Sequence, residues 1–132
     1  MTDDELNQIE TALGESLPEF YRRFMLEFPA DQIYQRAESG RRVDSWEFTN
    51  RPARVVRLNR EVSRPSKTFD GEPWPGYFVI GGSKAGDYFC LAFRSVESVL
   101  WWPWNDRCFV TVAASLPEFV QWLMKWRKRN AR

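Results

Sequence analysis

The sequence contains no histidine. That absence removes the usual general base, the commonest neutral metal ligand and every Ser-His or Cys-His nucleophile pair. Cysteine is nearly as scarce, with only Cys90 and Cys108. Two thiols without a histidine cannot complete a zinc site of four nitrogen and sulfur ligands. Their separation of 18 residues is not that of a Cys-x-x-Cys redox pair. Both fall in predicted strands, where small buried hydrophobes are expected. No uncharged apolar run approaches the ~20 residues of a membrane span. The opening Met1-Thr2-Asp3-Asp4-Glu5 is acidic, whereas a secretory signal opens basic. These absences lead to the expectation of a soluble, cytoplasmic protein with reduced thiols, no cofactor, no metal and no membrane partner.

What is present fits one domain over residues 1–132, since a chain of 132 residues lies within the usual domain size. Hydrophobic residues reach 43% and aromatics 16%, against a formal net charge of +1, which argues against disorder. That small charge hides segregation. Residues 1–31 carry −6, residues 41–67 carry +5 and residues 116–132 carry +4. A bipolar surface is therefore expected.

Helix signals come first. Thr2 and Glu5 have capping-box spacing, Leu6, Ile9 and Leu13 recur at helical intervals, and Gly14 is a natural stop, so a helix is predicted over 2–14. Pro18 suits the first turn of a second helix, along which Tyr21, Phe24, Met25 and Phe28 follow, and Pro29 ends it. Ile33 to Arg36 reads as a short strand, Ser39-Gly40 as a turn and Val43 to Phe48 as a half-buried strand. Residues 53–62 read as a helix. Residues 63–76, rich in proline and glycine, read as a loop. Strands are predicted over 77–80, 87–93, 96–102 and 109–112, with Gly81 to Gly86 and Arg94-Ser95 as turns. Ser115 and Glu118 form another capping box ahead of a final helix. The order predicts an α+β fold, a mainly antiparallel sheet with two N-terminal helices and a C-terminal helix packed on it.

Candidates for chemistry are thin. Gly81 and Gly86 have phosphate-loop separation, but Asp87 and Tyr88 stand where lysine and a hydroxyl residue belong, so a glycine hairpin turn is the better reading. Asp87 and Asp106 lie near strand ends, where two carboxylates could meet, although turn acids are commonly solvated. Ser63, Ser66 and Ser83 have no activating partner. The basic stretch 51–67 places Arg54, Arg57 and Arg60 on one helix. A sequence pI near 7.8 and few stacking aromatics weigh against nucleic acid. A solvated face or a docking surface for an acidic protein remains. In Trp101-Trp102-Pro103-Trp104, adjacent strand residues point to opposite faces, so one indole is expected to be only partly covered. Trp102 and Trp104, with Asp106 and Arg107 beside them, and Arg54 and Arg57, are the candidate partner-binding residues.

Four segments in order then resemble the SUKH superfamily, which includes a yeast cell-wall assembly regulator and many bacterial immunity proteins. They are Ile9 to Phe24 with its Gly14-x-x-Leu17-Pro18 hinge, Val79-Ile80-Gly81-Gly82 through Gly86-Asp87-Tyr88-Phe89, Val99-Leu100-Trp101-Trp102, and Ala114-Ser115-Leu116-x-Glu118-Phe119. Where the family often carries acidic residues and a histidine after the third strand, this chain has Pro103 and Trp104. The resemblance implies structural roles for Gly14, Pro18, Gly81, Gly86, Asp87 and Ser115. It also implies a monomeric, non-enzymatic immunity protein that binds a cognate bacterial toxin and blocks its active site or an essential surface. A regulatory or scaffold module with a host protein partner is the alternative.

Overall fold

The computed structural model describes residues 1–33, 46–83, 85–92, 96–105 and 108–130. Helix α1 (Asp3–Leu13) starts as the capping box requires: Thr2 Oγ1 accepts from Glu5 N and Glu5 Oε1 accepts from Thr2 N. Gly14 ends it at φ 70°, a left-handed conformation that glycine adopts without strain. The hinge that follows is pinned by Glu10. Its carboxylate accepts from Leu17 N at 2.7 Å and from Arg22 Nη1 at 2.9 Å. Helix α2 (Glu19–Leu26) then begins with Pro18 at its N-cap.

Pro29 opens a new turn as well as following the second helix. Its carbonyl accepts from Ile33 N, and α3 (Ala30–Ile33) is a single helical turn. Ile33 is therefore helical and not in a strand, because proline's fixed φ suits a helix start. The rest of that expected strand, the Ser39-Gly40 turn and the turn at Arg94-Ser95 lie outside the described residues.

The sheet is antiparallel throughout, in the order β1 (Trp46–Phe48), β2 (Phe78–Ser83), β3 (Tyr88–Leu91), β4 (Val99–Trp102), β5 (Val110–Ala113). Helix α4 (Pro52–Val62) connects β1 to β2, and α5 (Leu116–Asn130) follows β5. Ser115 Oγ accepts from Glu118 N, while Glu118 Oε2 accepts from Ala114 N, so the second capping box closes one residue early.

Alternation sorts the strand residues onto two faces. One face carries Phe78, Ile80, Phe89, Leu91 and Val99 and packs with Leu6, Ile9, Tyr21, Met25, Phe119 and Leu123 of the helices. The other carries Val79, Tyr88, Cys90 and Trp102, and packs with Leu58 and Val62 of α4 and Phe69 of the connecting segment, flanked by Trp74 and Tyr77. The segment expected as a plain loop is thus the second lid of the sheet. It is folded by a tight turn at Asp70 and Gly71, both at positive φ, which joins Phe69 to Glu72.

Two glycines expected in a turn lie instead in β2. A Cβ on Gly81 would sit 2.0 Å from the Glu47 carbonyl oxygen, and one on Gly82 2.3 Å from that of Asp87. These positions are glycine because backbones approach there and not because of positive φ. Beyond the end of β1, Asn59 takes its place beside β2. Its side chain accepts from Val79 N at 2.8 Å and donates to Val79 O at 2.9 Å, fixing α4 to the sheet.

The cysteines differ from the expected pair of buried strand residues. Cys90 is buried in β3, and burial pushes its thiol well above the ordinary range. Cys108 precedes β5 and is exposed. The folded protein is expected to react rapidly with one equivalent of a thiol reagent and to release the second thiol only on unfolding. A second fast equivalent under native conditions would contradict this packing.

Candidate partner-binding site

The β4–β5 end of the sheet presents Trp104, which is 60% exposed. A single exposed apolar side chain is ordinary, but tryptophan is enriched at protein interfaces, where it serves as an anchor. Its backbone is held from below by Asp87, itself 2% exposed. Oδ1 of Asp87 accepts from Trp104 N at 3.1 Å and from Trp101 Nε1 at 3.2 Å. Oδ2 accepts from Ser83 Oγ at 2.5 Å. The Ser83 hydroxyl in turn accepts from Ala85 N and Asp87 N, closing the β2–β3 turn. Gly86, at φ 104°, shapes that turn and leaves room for Trp104 Cβ against it. Both carboxylate oxygens are therefore occupied by donors from β2, β4 and the Trp104 turn, which is a positioning arrangement and not that of an acid or base facing substrate.

The other sequence candidates separate. Trp101 and Trp102 point to opposite faces, and one of the two indoles, that of Trp101, is only partly covered, as expected. Trp101 packs against Trp122 of α5. Trp102 is only 8% exposed, with Phe109 and Phe69 at ring-centroid distances of 5.0 and 5.5 Å. Trp102, a candidate partner-binding residue, is therefore part of the packed interior, because the 63–77 segment covers it. Asp106 and Arg107 lie outside the described residues. Arg54 pairs with Glu47, Nε to Oε1 at 2.6 Å, so its charge is answered within the chain. Arg57 points outward from α4 and lines a groove of 510 Å³ between α1 and α4. Arg60 and Arg64, which belong to the same basic stretch but are not among the candidate partner-binding residues, line it too.

Lys67 lies on the face-two lid, where Nζ contacts the Tyr88 hydroxyl at 2.5 Å and Glu61 at 3.4 Å. Burial, ahead of the opposing pull of Lys67, raises the Tyr88 phenol above its ordinary value. Among the described residues, no three His, Cys, Asp or Glu side chains gather as metal ligands, and no helix is long and apolar enough to cross a membrane.

The family model described as SMI1 / KNR4 family (SUKH-1) matches residues 1–122. No curated protein and no solved structure matches the chain.

Proposed function

The chain belongs to the SMI1/KNR4 family (SUKH-1), and from that membership we propose that it is an immunity protein, one domain acting in the cytoplasm to bind and neutralise a cognate antibacterial toxin. Toxin immunity is common in this family. The single observation that carries the reading is the exposed indole of Trp104 on a backbone fixed by the buried Asp87. Neutralisation by blocking asks only for a complementary surface with a few fixed anchors, about 800 Å² per partner. A rigid aromatic loses little freedom on binding, so more of its burial is realised as affinity. Nothing in the arrangement of Asp87, Ser83 or Lys67 calls for turnover.

Co-expression with the cognate toxin should rescue growth through a stoichiometric complex. Protection at strongly substoichiometric amounts, or chemical reversal of toxin damage by the purified protein, would overturn the blocking mechanism. In the same complex, Trp104→Ala is expected to weaken binding by at least about tenfold, equivalent to ~1.4 kcal/mol. Its melting temperature should stay within about 2 °C of the parent, since an exposed side chain leaves no cavity. Unchanged affinity in a stable variant would remove Trp104 from the interface.

A further inference from the structure

The groove between α1 and α4 has an apolar floor and a cationic rim. Ile9 and Ala12 of α1 and Ala53 and Val56 of α4 line its interior. Arg57 and Arg60 on α4, and Arg64 just past its end, line the same groove. Arg57 and Arg60 stand at i and i+3 on α4, and Arg64 follows directly after its C-cap Ser63. Like charges at this spacing oppose helix formation, and the usual remedy is an acid at i±3 or i±4.

That remedy is not used here. Glu61, the acid on α4, reaches Lys67 instead. Arg22 is answered by Asp3 and Glu10, and Arg54 by Glu47. Among the described residues, no carboxylate pairs with Arg57, Arg60 or Arg64, and Arg60 reaches only the Ala12 carbonyl at 3.4 Å. Three cations thus stand around a concave apolar surface without counter-charge among the described residues. Two smaller depressions adjoin it, one sharing Arg64 and the other Ala12 and Arg60.

We propose that this groove seats a short acidic segment of the toxin, with small apolar side chains on the floor and carboxylates on Arg57, Arg60 and Arg64. The proposal rests on the immunity reading above and names the chemistry of the partner. A nucleic acid is the poorer fit. None of the residues lining the groove is aromatic, which leaves bases no stacking platform. An acidic protein segment can also set small apolar side chains on Ile9, Ala12, Ala53 and Val56, which a sugar-phosphate backbone does not offer.

The test uses the full chain with two labelled probes, a peptide of alternating glutamate and alanine and an oligothymidylate of equal charge, followed by fluorescence anisotropy. The peptide should bind, more weakly as salt is raised. The double variant Arg57→Glu/Arg64→Glu should weaken it by at least about tenfold, as should Arg57→Gln/Arg64→Gln, the fallback should charge reversal impair folding. Lys125→Gln, which removes an exposed charge on α5, should leave peptide binding unchanged. Tighter binding of the oligothymidylate than of the peptide, or peptide binding indifferent to both double variants, overturns the proposal. The two readings fail separately. Stoichiometric protection against the toxin that persists in both double variants at unchanged toxin affinity sinks the acidic-segment proposal and leaves immunity standing. Peptide binding without any toxin complex sinks immunity instead.

Discussion

Gly81→Ala is expected to destabilise the fold by at least about 3 kcal/mol, lowering the melting temperature by roughly 10 °C or more. The new methyl would lie 2.0 Å from the Glu47 carbonyl oxygen and 3.1 Å from Phe48 Cα, both backbone atoms of the paired strand β1. Flexible side chains yield to such a clash, whereas a paired strand yields only by leaving its partner. Retreat of β1 would drag Phe48, which is fully buried against Phe24, Phe28 and Phe119, and would pull Glu47 from Arg54. Gly71→Ala is the control. Its φ is 81° with nothing within 4 Å of a Cβ, so it should cost only the ~1–2 kcal/mol of left-handed backbone. Urea unfolding of both variants checks the ranking. A Gly81→Ala protein within about 1 kcal/mol of the parent would mean that β1 is not held as described.

Gly81 also shows what a sequence can disclose. Glycine is chosen for positive φ and for close backbone approach, and the two uses look alike in a string of letters. The Gly81-Gly82 pair was therefore legible as structural but not as strand. Signals made of local hydrogen bonds were read more fully. Thr2 with Glu5, Gly14, and Ser115 with Glu118 satisfy backbone groups within a few residues, and the structure uses each of them to start or stop a helix. The antiparallel order followed from alternation and turn spacing in the same way.

Long-range cover was not legible. Which of the two strand indoles is covered could not be read, because the proline- and glycine-rich segment ahead of β2 reads as a connector, although it carries Phe69, Trp74 and Tyr77 onto the face of Trp102. Charge pairing was equally hidden. Arg54 and Arg57 are equivalent in sequence, yet only Arg54 faces a carboxylate, across the turn from β1 to α4. Arg60 and Arg64 acquire their interest from the groove that α1 completes, which no spacing on α4 alone reveals.

Asp87→Ala should cost about 3–4 kcal/mol and weaken toxin binding, whereas Asp87→Asn should cost about 1–2 kcal/mol and leave affinity within a few-fold. The difference comes from counting donors. Asp87 Oδ1 receives two N–H groups, from Trp101 and Trp104, and Oδ2 receives the Ser83 hydroxyl. Alanine leaves all of them without this acceptor, and a buried donor left unpaired costs about 1–3 kcal/mol. Asparagine keeps one carbonyl oxygen for the two N–H groups but no acceptor for the Ser83 hydroxyl, whose lone pairs already serve Ala85 N and Asp87 N, so it loses the charge assistance and that one bond, about 1–2 kcal/mol. The same bonds link stability to function. With the Trp104 amide released, its indole must be ordered at the moment of binding, and that entropy is subtracted from affinity. Thermal melting together with toxin titration separates the two roles. Equal damage from both substitutions would assign the effect to the negative charge itself. An alanine variant as stable as the parent would show that the carboxylate holds neither Trp101 nor Trp104.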